Sequence, residues 1–217
     1  MAKGILIIGT GAQAKYALEI FNLSNMTVCG LIALPEESPP ESLDNTEVLG
    51  DLQDFESIYQ KCKKPSLLLC CSRNKDKEEL KDRLSRYNPE YTNAIHPKAV
   101  IARTAVMGRG IIVNACAVIQ PYARIGHHVM IHAGVIIEHD CIIQDFVNLA
   151  PKVTLAGHAK IGKGTTVYTG AVISPTIETG DYCTVGAGSV VLRRVENGKK
   201  VAGAPASEIK PEKDTTK

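Results

Sequence analysis

The sequence predicts a two-part molecule: a small α/β domain of alternating strands and helices, then a parallel β-helix in which three six-residue repeats make each coil. Three observations predict it. Aliphatic residues recur at every sixth position from Ile95 with no gap in register, and a second register of small or β-branched residues follows four places behind the first. Aromatic residues are only 5% of the chain and tryptophan is absent, so something other than large rings fills the interior.

The first part reads in order as an apolar run Ile5 to Ile8, a glycine turn, and a helix from Ala12 to about Leu23 with Tyr16, Ile20 and Leu23 at helical spacing. A second strand runs from Thr27 to Leu34, and the segment PEESPPESLDN reads as a loop rich in proline and acid. Leu52 to Tyr59 forms a short helix, Ser66 to Cys71 (SLLLCC) a buried strand, and Asn74 to Ser85 a charged amphipathic helix. Strands alternating with helices imply a parallel sheet covered on both faces.

The turn Gly9, Thr10, Gly11, Ala12, Gln13, Ala14 follows a strand and opens a helix, in the manner of a Rossmann-like half-domain. Backbone N–H groups at such a helix start can meet a diphosphate, which marks Gly9, Gly11, Ala12 and Gln13 as candidates for nucleotide binding. A tight turn with no ligand is the alternative. The segment is too short for the two-fold strand set of a dinucleotide oxidoreductase.

From Ile95 to Val191 the first register has seventeen slots, and Thr179 alone is not aliphatic. The second register includes Ala99, Ala117, Ala123, Cys141, Ala159, Thr165, Ala171, Cys183 and Ser189. One large and one small inward position per six residues suits a triangular solenoid of 18-residue coils, whose tight corners admit only small side chains. Residues 18 apart then stack at the inter-strand distance of about 4.8 Å. A sandwich or barrel requires two-residue alternation with turns every 8 to 12 residues, and neither occurs. The expected divisions are 1–92 for the α/β domain, 93–197 for the β-helix and 198–217 for a C-terminal segment and tail.

The 25 basic and 23 acidic residues are interspersed and sum to +2, which gives no case for a nucleic acid or a membrane surface as partner. No apolar run reaches the roughly 18 residues of a membrane span and the N-terminus lacks a signal-peptide pattern, so a cytoplasmic location is expected. Seven cysteines without a C-x-x-C pair indicate neither a disulfide framework nor a zinc cluster.

The stretch GAGSVV (Gly186–Val191), the stretch VAGAPA (Val201–Ala206), the N-terminal ILIIGTGAQAKYALEIF and the central IEHDC occur together in this order. This combination resembles the hexapeptide-repeat sugar acyltransferases that modify nucleotide-linked amino sugars or sialic acid, and the resemblance covers nearly the whole chain. It implies a left-handed β-helix, a nucleotide-sugar-binding domain ahead of it, a homotrimer, and acyl-CoA, here acetyl-CoA, in a groove between neighbouring helices, with no metal. It makes His139 the catalytic base and Asp140 its partner. The resemblance also implies that Gly157 offers a backbone N–H to the acyl carbonyl. The acyl-CoA contacts it implies are Asn148, Gly157, His158, Gly186, Ala187, Ala204 and Pro205.

The chemistry supports that assignment independently. Moving an acyl group from a thioester to an amine needs a base near neutral pKa, and a neighbouring carboxylate fixes the ring tautomer. His139 and Asp140 occupy the third and fourth places of their hexad, outside the inward registers, while Gly157 and His158 lie one coil above them.

The chain departs from the family at three places. Asn148 stands where relatives often carry a second histidine, Ala12-Gln13 where they have Gly-His, and Ala33, Leu34 and Pro35 where an acidic pair ends the second strand, with Glu36 and Glu37 just beyond. The expected activity is N-acetylation of a nucleotide-linked 4-amino-deoxy sugar for surface glycans. Sugar O-acetylation of the sialic-acid type is the runner-up, and a carbonic-anhydrase-like metal solenoid or a silent scaffold comes from other classes. His96, His127, His128 and His132 invite the metal reading, but His96 and His132 lie two coils, roughly 10 Å, apart.

Overall fold

The structure, a computed structural model, describes residues 4–209. Its first part comprises β1 (Ile5–Ile8), α1 (Ala12–Leu23), β2 (Val28–Ala33), β3 (Ser42–Leu43), β4 (Thr46–Asp51), α2 (Phe55–Lys61), β5 (Ser66–Leu69) and α3 (Asn74–Leu84). The sheet order is β3-β4-β2-β1-β5, parallel except for β3 against β4. Every residue of β1 is buried because both faces are covered. Ile5 and Ile7 pack against Ala17, Leu18 and Phe21 of α1, and Leu6 and Ile8 against Phe55, Ile58, Leu80 and Leu84 of the other helices.

The loop reading of PEESPPESLDN missed β3. Asp44 and Asn45 adopt φ of 48° and 58°, the left-handed pair of a two-residue hairpin, and they fold Ser42–Leu43 back on Thr46 and Glu47 at the start of β4. The Asp-Asn dipeptide carried that signal within a segment whose composition argued for a loop. The short helix also lies later than expected, at Phe55–Lys61.

From Ala94 to Val191 the chain forms two-residue strands every six residues, assembled into three parallel sheets that are the faces of a prism. Partners are 18 residues apart, as in Ile119↔Ile137 on the second face, Arg124↔Ile142 on the third and Met130↔Asn148 on the first. Both inward registers form one core: Val113, Ile131, Ile137 and Leu155 supply bulk, and Ala117, Ala123, Cys141 and Ala159 fit the corners.

Thr179, the exceptional slot, is buried, and its Oγ1 accepts from the Gly162 N–H at 3.3 Å. Buried Thr165 is also satisfied, donating to the Gly180 carbonyl at 2.9 Å and accepting from the Cys183 N–H at 2.9 Å. The 18-residue spacing gives way to 16 residues at Thr179↔Val195 and Val185↔Val201.

The N-terminal unit covers the first face. Ile112 and Met130 point outward from that face into the core built around α1. Higher up, Asn74 of α3 donates to the Gly164 carbonyl at 3.0 Å and to Thr166 Oγ1 at 3.1 Å, and Glu78 takes an ion pair from Lys163 and a hydrogen bond from the Tyr182 hydroxyl. The second face carries outward Val100, Val118, Ile136, Val172 and Val190, an aliphatic stripe interrupted by Thr154, on which Val100 and Ile136 are exposed.

Candidate active site

The corner between the second and third faces holds the expected base. The strand Ile136–Ile137 ends one face and Ile142–Ile143 starts the next, so Glu138 to Cys141 must turn, with Asp140 at φ 60°. His139 Nδ1 lies 2.8 Å from Asp140 Oδ2. One coil above, the His158 N–H donates to the His139 carbonyl at 3.0 Å, which seats Gly157 and His158 over the pair.

A Cβ on Gly157 would stand 2.8 Å from both Cε1 and Nε2 of His139, so only glycine lets the ring lie there. With Nδ1 turned to Asp140, Nε2 is the nitrogen left to meet a substrate. His158 approaches the same carboxylate oxygen, with Nε2 at 3.9 Å, and the two imidazoles meet edge to face at 5.2 Å. Beside them an open depression is lined by Tyr122, Arg124, Asp140, Ile142, His158 and Lys160. A histidine base, an orienting carboxylate and a close glycine backbone form a constellation suited to acyl transfer.

The other expected residues lie elsewhere. Asn148 sits on the first face near His132, whose pKa burial lowers from its ordinary value. Gly186 and Ala187 lie on the corner between the first and second faces, where a Cβ on Gly186 would meet Ala202 Cβ at 2.7 Å. Ala204 and Pro205, joined by a cis bond, form the turn between the strands Lys200–Ala202 and Ser207–Glu208. These four residues therefore gather at the end of the prism. The second face runs between their corner and that of His139.

The glycine turn is already occupied by an acid from the same chain. Glu37 accepts from the Thr10 N–H at 2.8 Å, the Thr10 hydroxyl at 2.9 Å, the Gly11 N–H at 2.9 Å and the Leu34 N–H at 2.9 Å. An internal carboxylate thus takes the place at the start of α1 that the sequence suggested for a phosphate. Gln13 is buried, and its Oε1 accepts from the buried ammonium of Lys77 at 2.9 Å, while Ala12 opens the helix. Gly9, at φ 116°, lies against the Cys70 carbonyl, which a Cβ would approach to 2.7 Å.

Sequence reasoning missed a cavity of about 310 Å³ at the C-terminal ends of β2 and β5, lined by residues that include Leu34, Glu36, Arg73, Asp76, Glu79 and Arg83. Its signal was positional, since open parallel sheets take ligands beyond the carboxyl ends of their strands.

The histidines behind the metal reading do not converge. His96, Asn114 and His132 line one cavity in coil order, His127 Nδ1 accepts from the Arg109 N–H at 3.1 Å, and buried His128 stacks on Phe146 at 5.2 Å and meets Tyr91 edge to face at 4.6 Å.

Repeat and corner together define a class. A family model for the bacterial transferase hexapeptide (six repeats) matches residues 122–157, which span the His139 corner. Residues 122–157 carry the transferase hexapeptide repeat, and the fold, a left-handed parallel β-helix with a small α/β region ahead of it, is similar to that of hexapeptide-repeat sugar acyltransferases.

Among solved structures it is similar to a mutant of GDP-perosamine N-acetyltransferase from Caulobacter crescentus in complex with CoA and GDP-perosamine. Identity is 26%, 97% of this chain and 99% of that chain are covered, and the TM-score is 0.91. The acetyltransferase domain of PglB from Neisseria gonorrhoeae, in complex with acetyl coenzyme A, shares the fold at 24% identity, covering 96% and 100% of the chains with a TM-score of 0.87. WeeI from Acinetobacter baumannii does so at 21%, covering 96% and 100%, with a TM-score of 0.81. No curated protein matches the chain.

Among the described residues no helix is long and apolar enough to cross a membrane.

Proposed function

We propose that this protein transfers the acetyl group of acetyl-CoA to the amine of a nucleotide-linked 4-amino-deoxy sugar. The observation that carries the reading is His139 held by Asp140 at 2.8 Å against the backbone of Gly157. The likeness to an N-acetyltransferase solved with CoA and GDP-perosamine, over 97% of this chain, supports the two substrates.

The amine nitrogen attacks the thioester carbonyl as His139 Nε2 takes its proton. Asp140 fixes the ring and stabilises the imidazolium. The Gly157 N–H steadies the tetrahedral oxyanion. The C–S bond then breaks, and His139 returns the proton to the departing CoA thiolate, leaving amide and free thiol.

In this reading Gly186, Ala187, Ala204 and Pro205 hold acyl-CoA along the second face. The Rossmann-like unit, residues 1–92, presents the nucleotide to the β-helix of 93–197, with 198–217 beyond it. The cavity beside Glu36, Arg73 and Arg83 suits the nucleotide better than the amides that Glu37 occupies. A cytoplasmic homotrimer follows, because acetyl-CoA and sugar nucleotides are cytoplasmic substrates and the aliphatic stripe of the second face offers a surface for a neighbouring copy. Asn148 and the glycine turn lie on a different face from His139, so subunit packing would bring the two halves of the site together.

The test is thiol release from acetyl-CoA with a panel of nucleotide-linked amino and hydroxyl sugars. Release with amino acceptors is expected, and His139→Ala should lower kcat/KM by about 10²- to 10⁴-fold while the trimer persists. Release with hydroxyl acceptors alone would replace N- by O-acetylation, and full turnover without His139 would remove it as base.

A further inference from the structure

We infer that His139, Asp140 and His158 form a binding site for one divalent transition cation of the zinc class. Each residue offers one ligand atom, and the three atoms lie within 4.8 Å of one another. Two imidazole nitrogens and one carboxylate oxygen, with no thiolate, form a donor set that selects zinc, cobalt or copper over magnesium or calcium.

The solenoid itself creates the grouping. Asp140 and His158 are one coil apart, both at left-handed corner positions with φ of 60° and 61°, so one side chain stands above the other. The Asp140 N–H donates to the Pro121 carbonyl at 3.1 Å and the His158 N–H to the His139 carbonyl at 3.0 Å, which fixes both backbones to the coil below.

Only side-chain torsions have to adjust. Metal–ligand bonds of about 2.0–2.1 Å place tetrahedral ligand atoms roughly 3.3 Å apart. His139 Nδ1 and Asp140 Oδ2 are 2.8 Å apart, and Asp140 Oδ2 and His158 Nε2 are 3.9 Å apart, on either side of that value. The side chains of His139 and His158 are 53% and 58% exposed, so neither ring is locked by packing and an ion can enter from solvent. Three protein ligands leave a fourth position for water.

An ion held here would take His139 Nδ1 and Asp140 Oδ2 from each other. If His139 is the base of the proposed transfer, the ion inhibits that reaction. Binding itself does not depend on that reading.

The experiment uses full-length, tag-free protein titrated with cobalt(II) chloride and followed by visible absorption. One equivalent per chain should produce the bands of a four- or five-coordinate cobalt site. His158→Asn and Asp140→Asn, each checked for an unchanged circular dichroism spectrum, should each weaken binding at least tenfold, and zinc should displace the cobalt. The inference is overturned by absence of such bands, by undiminished binding in either variant, or by a sulfur-to-cobalt charge-transfer band, which would assign the ion to cysteine. Zinc should also lower turnover at the same occupancy and chelator restore it. Full turnover at saturating zinc would overturn the inhibitory role alone.

Discussion

Acid should weaken this protein through one buried imidazole. His128 is 3% exposed, and its Nδ1 has no hydrogen-bond partner. Burial, aided by the nearby cations Lys77 and Lys81, pushes its pKa down to about 3. An unfolded histidine titrates near 6.5.

The folded state therefore resists a proton that the unfolded chain accepts, and stability falls as pH drops below about 6.5 towards about 3. At pH 5 the unfolded chain has gained about 1.5 units of protonation free energy at roughly 1.4 kcal/mol each, a loss of about 2 kcal/mol relative to pH 8. With an m-value of about 2 kcal/mol/M, the urea midpoint should fall by about 1 M.

The assay is urea unfolding at pH 8 and pH 5, at one protein concentration, for wild type and for His128→Leu and His128→Gln. Each variant carries its own folding cost, but the difference between the two pH values isolates the proton. Both variants should lose about 2 kcal/mol less than wild type over that interval. Equal losses in wild type and both variants would refute the argument.

Gly157→Ala places a methyl group 2.8 Å from Nε2 of His139, and the displaced ring should lower kcat/KM by about tenfold to 100-fold with unchanged thermal stability; a wild-type rate would refute the packing argument. Lys77 is 2% exposed, and burial pushes its pKa below the ordinary value, so its ammonium favours the unfolded chain at neutral pH and that penalty fades as pH approaches its unfolded value. Lys77→Met should raise stability at pH 7 by about 1 kcal/mol, read as Tm, and a lower Tm would count against it. Thr179→Val should be neutral or stabilising by up to about 1 kcal/mol, since the Gly162 N–H also donates to the Thr179 carbonyl at 3.0 Å. Thr165→Val removes two bonds and leaves the Cys183 N–H unpaired, so it should cost about 1–3 kcal/mol in chemical denaturation; equal effects at the two threonines would refute the distinction.

The β-helix was readable because its signal is periodic and local. Six residues return the chain to the same kind of position, so Ile137, Cys141, Gly157 and His158 could be stacked from spacing alone. Asn148 shows the limit of that arithmetic. It lies nine residues after His139, one and a half repeats, which carries it from a corner to the first face.

The N-terminal unit was less readable because its decisive contacts join distant segments. Glu37 reaches back 27 residues to Thr10, and nothing in an acid-rich loop announces that one of its carboxylates closes a helix. Lys77 meets Gln13 across 64 residues, and neither belongs to a motif. The cavity beside Arg73 and Arg83 likewise exists only after strand order is known.

The gapless register also sets how this chain can tolerate change in length. A single inserted residue between Ile95 and Val191 would rotate all later side chains by one position, sending Ile and Val into water and polar neighbours into the core. Six residues would restore the alternation but move each later strand to the next face, separating Asp140 from His158 if they fell between the two. A whole coil of 18 preserves both core and faces, so gain or loss of complete coils outside that pair is the change in length that leaves the His139 corner intact.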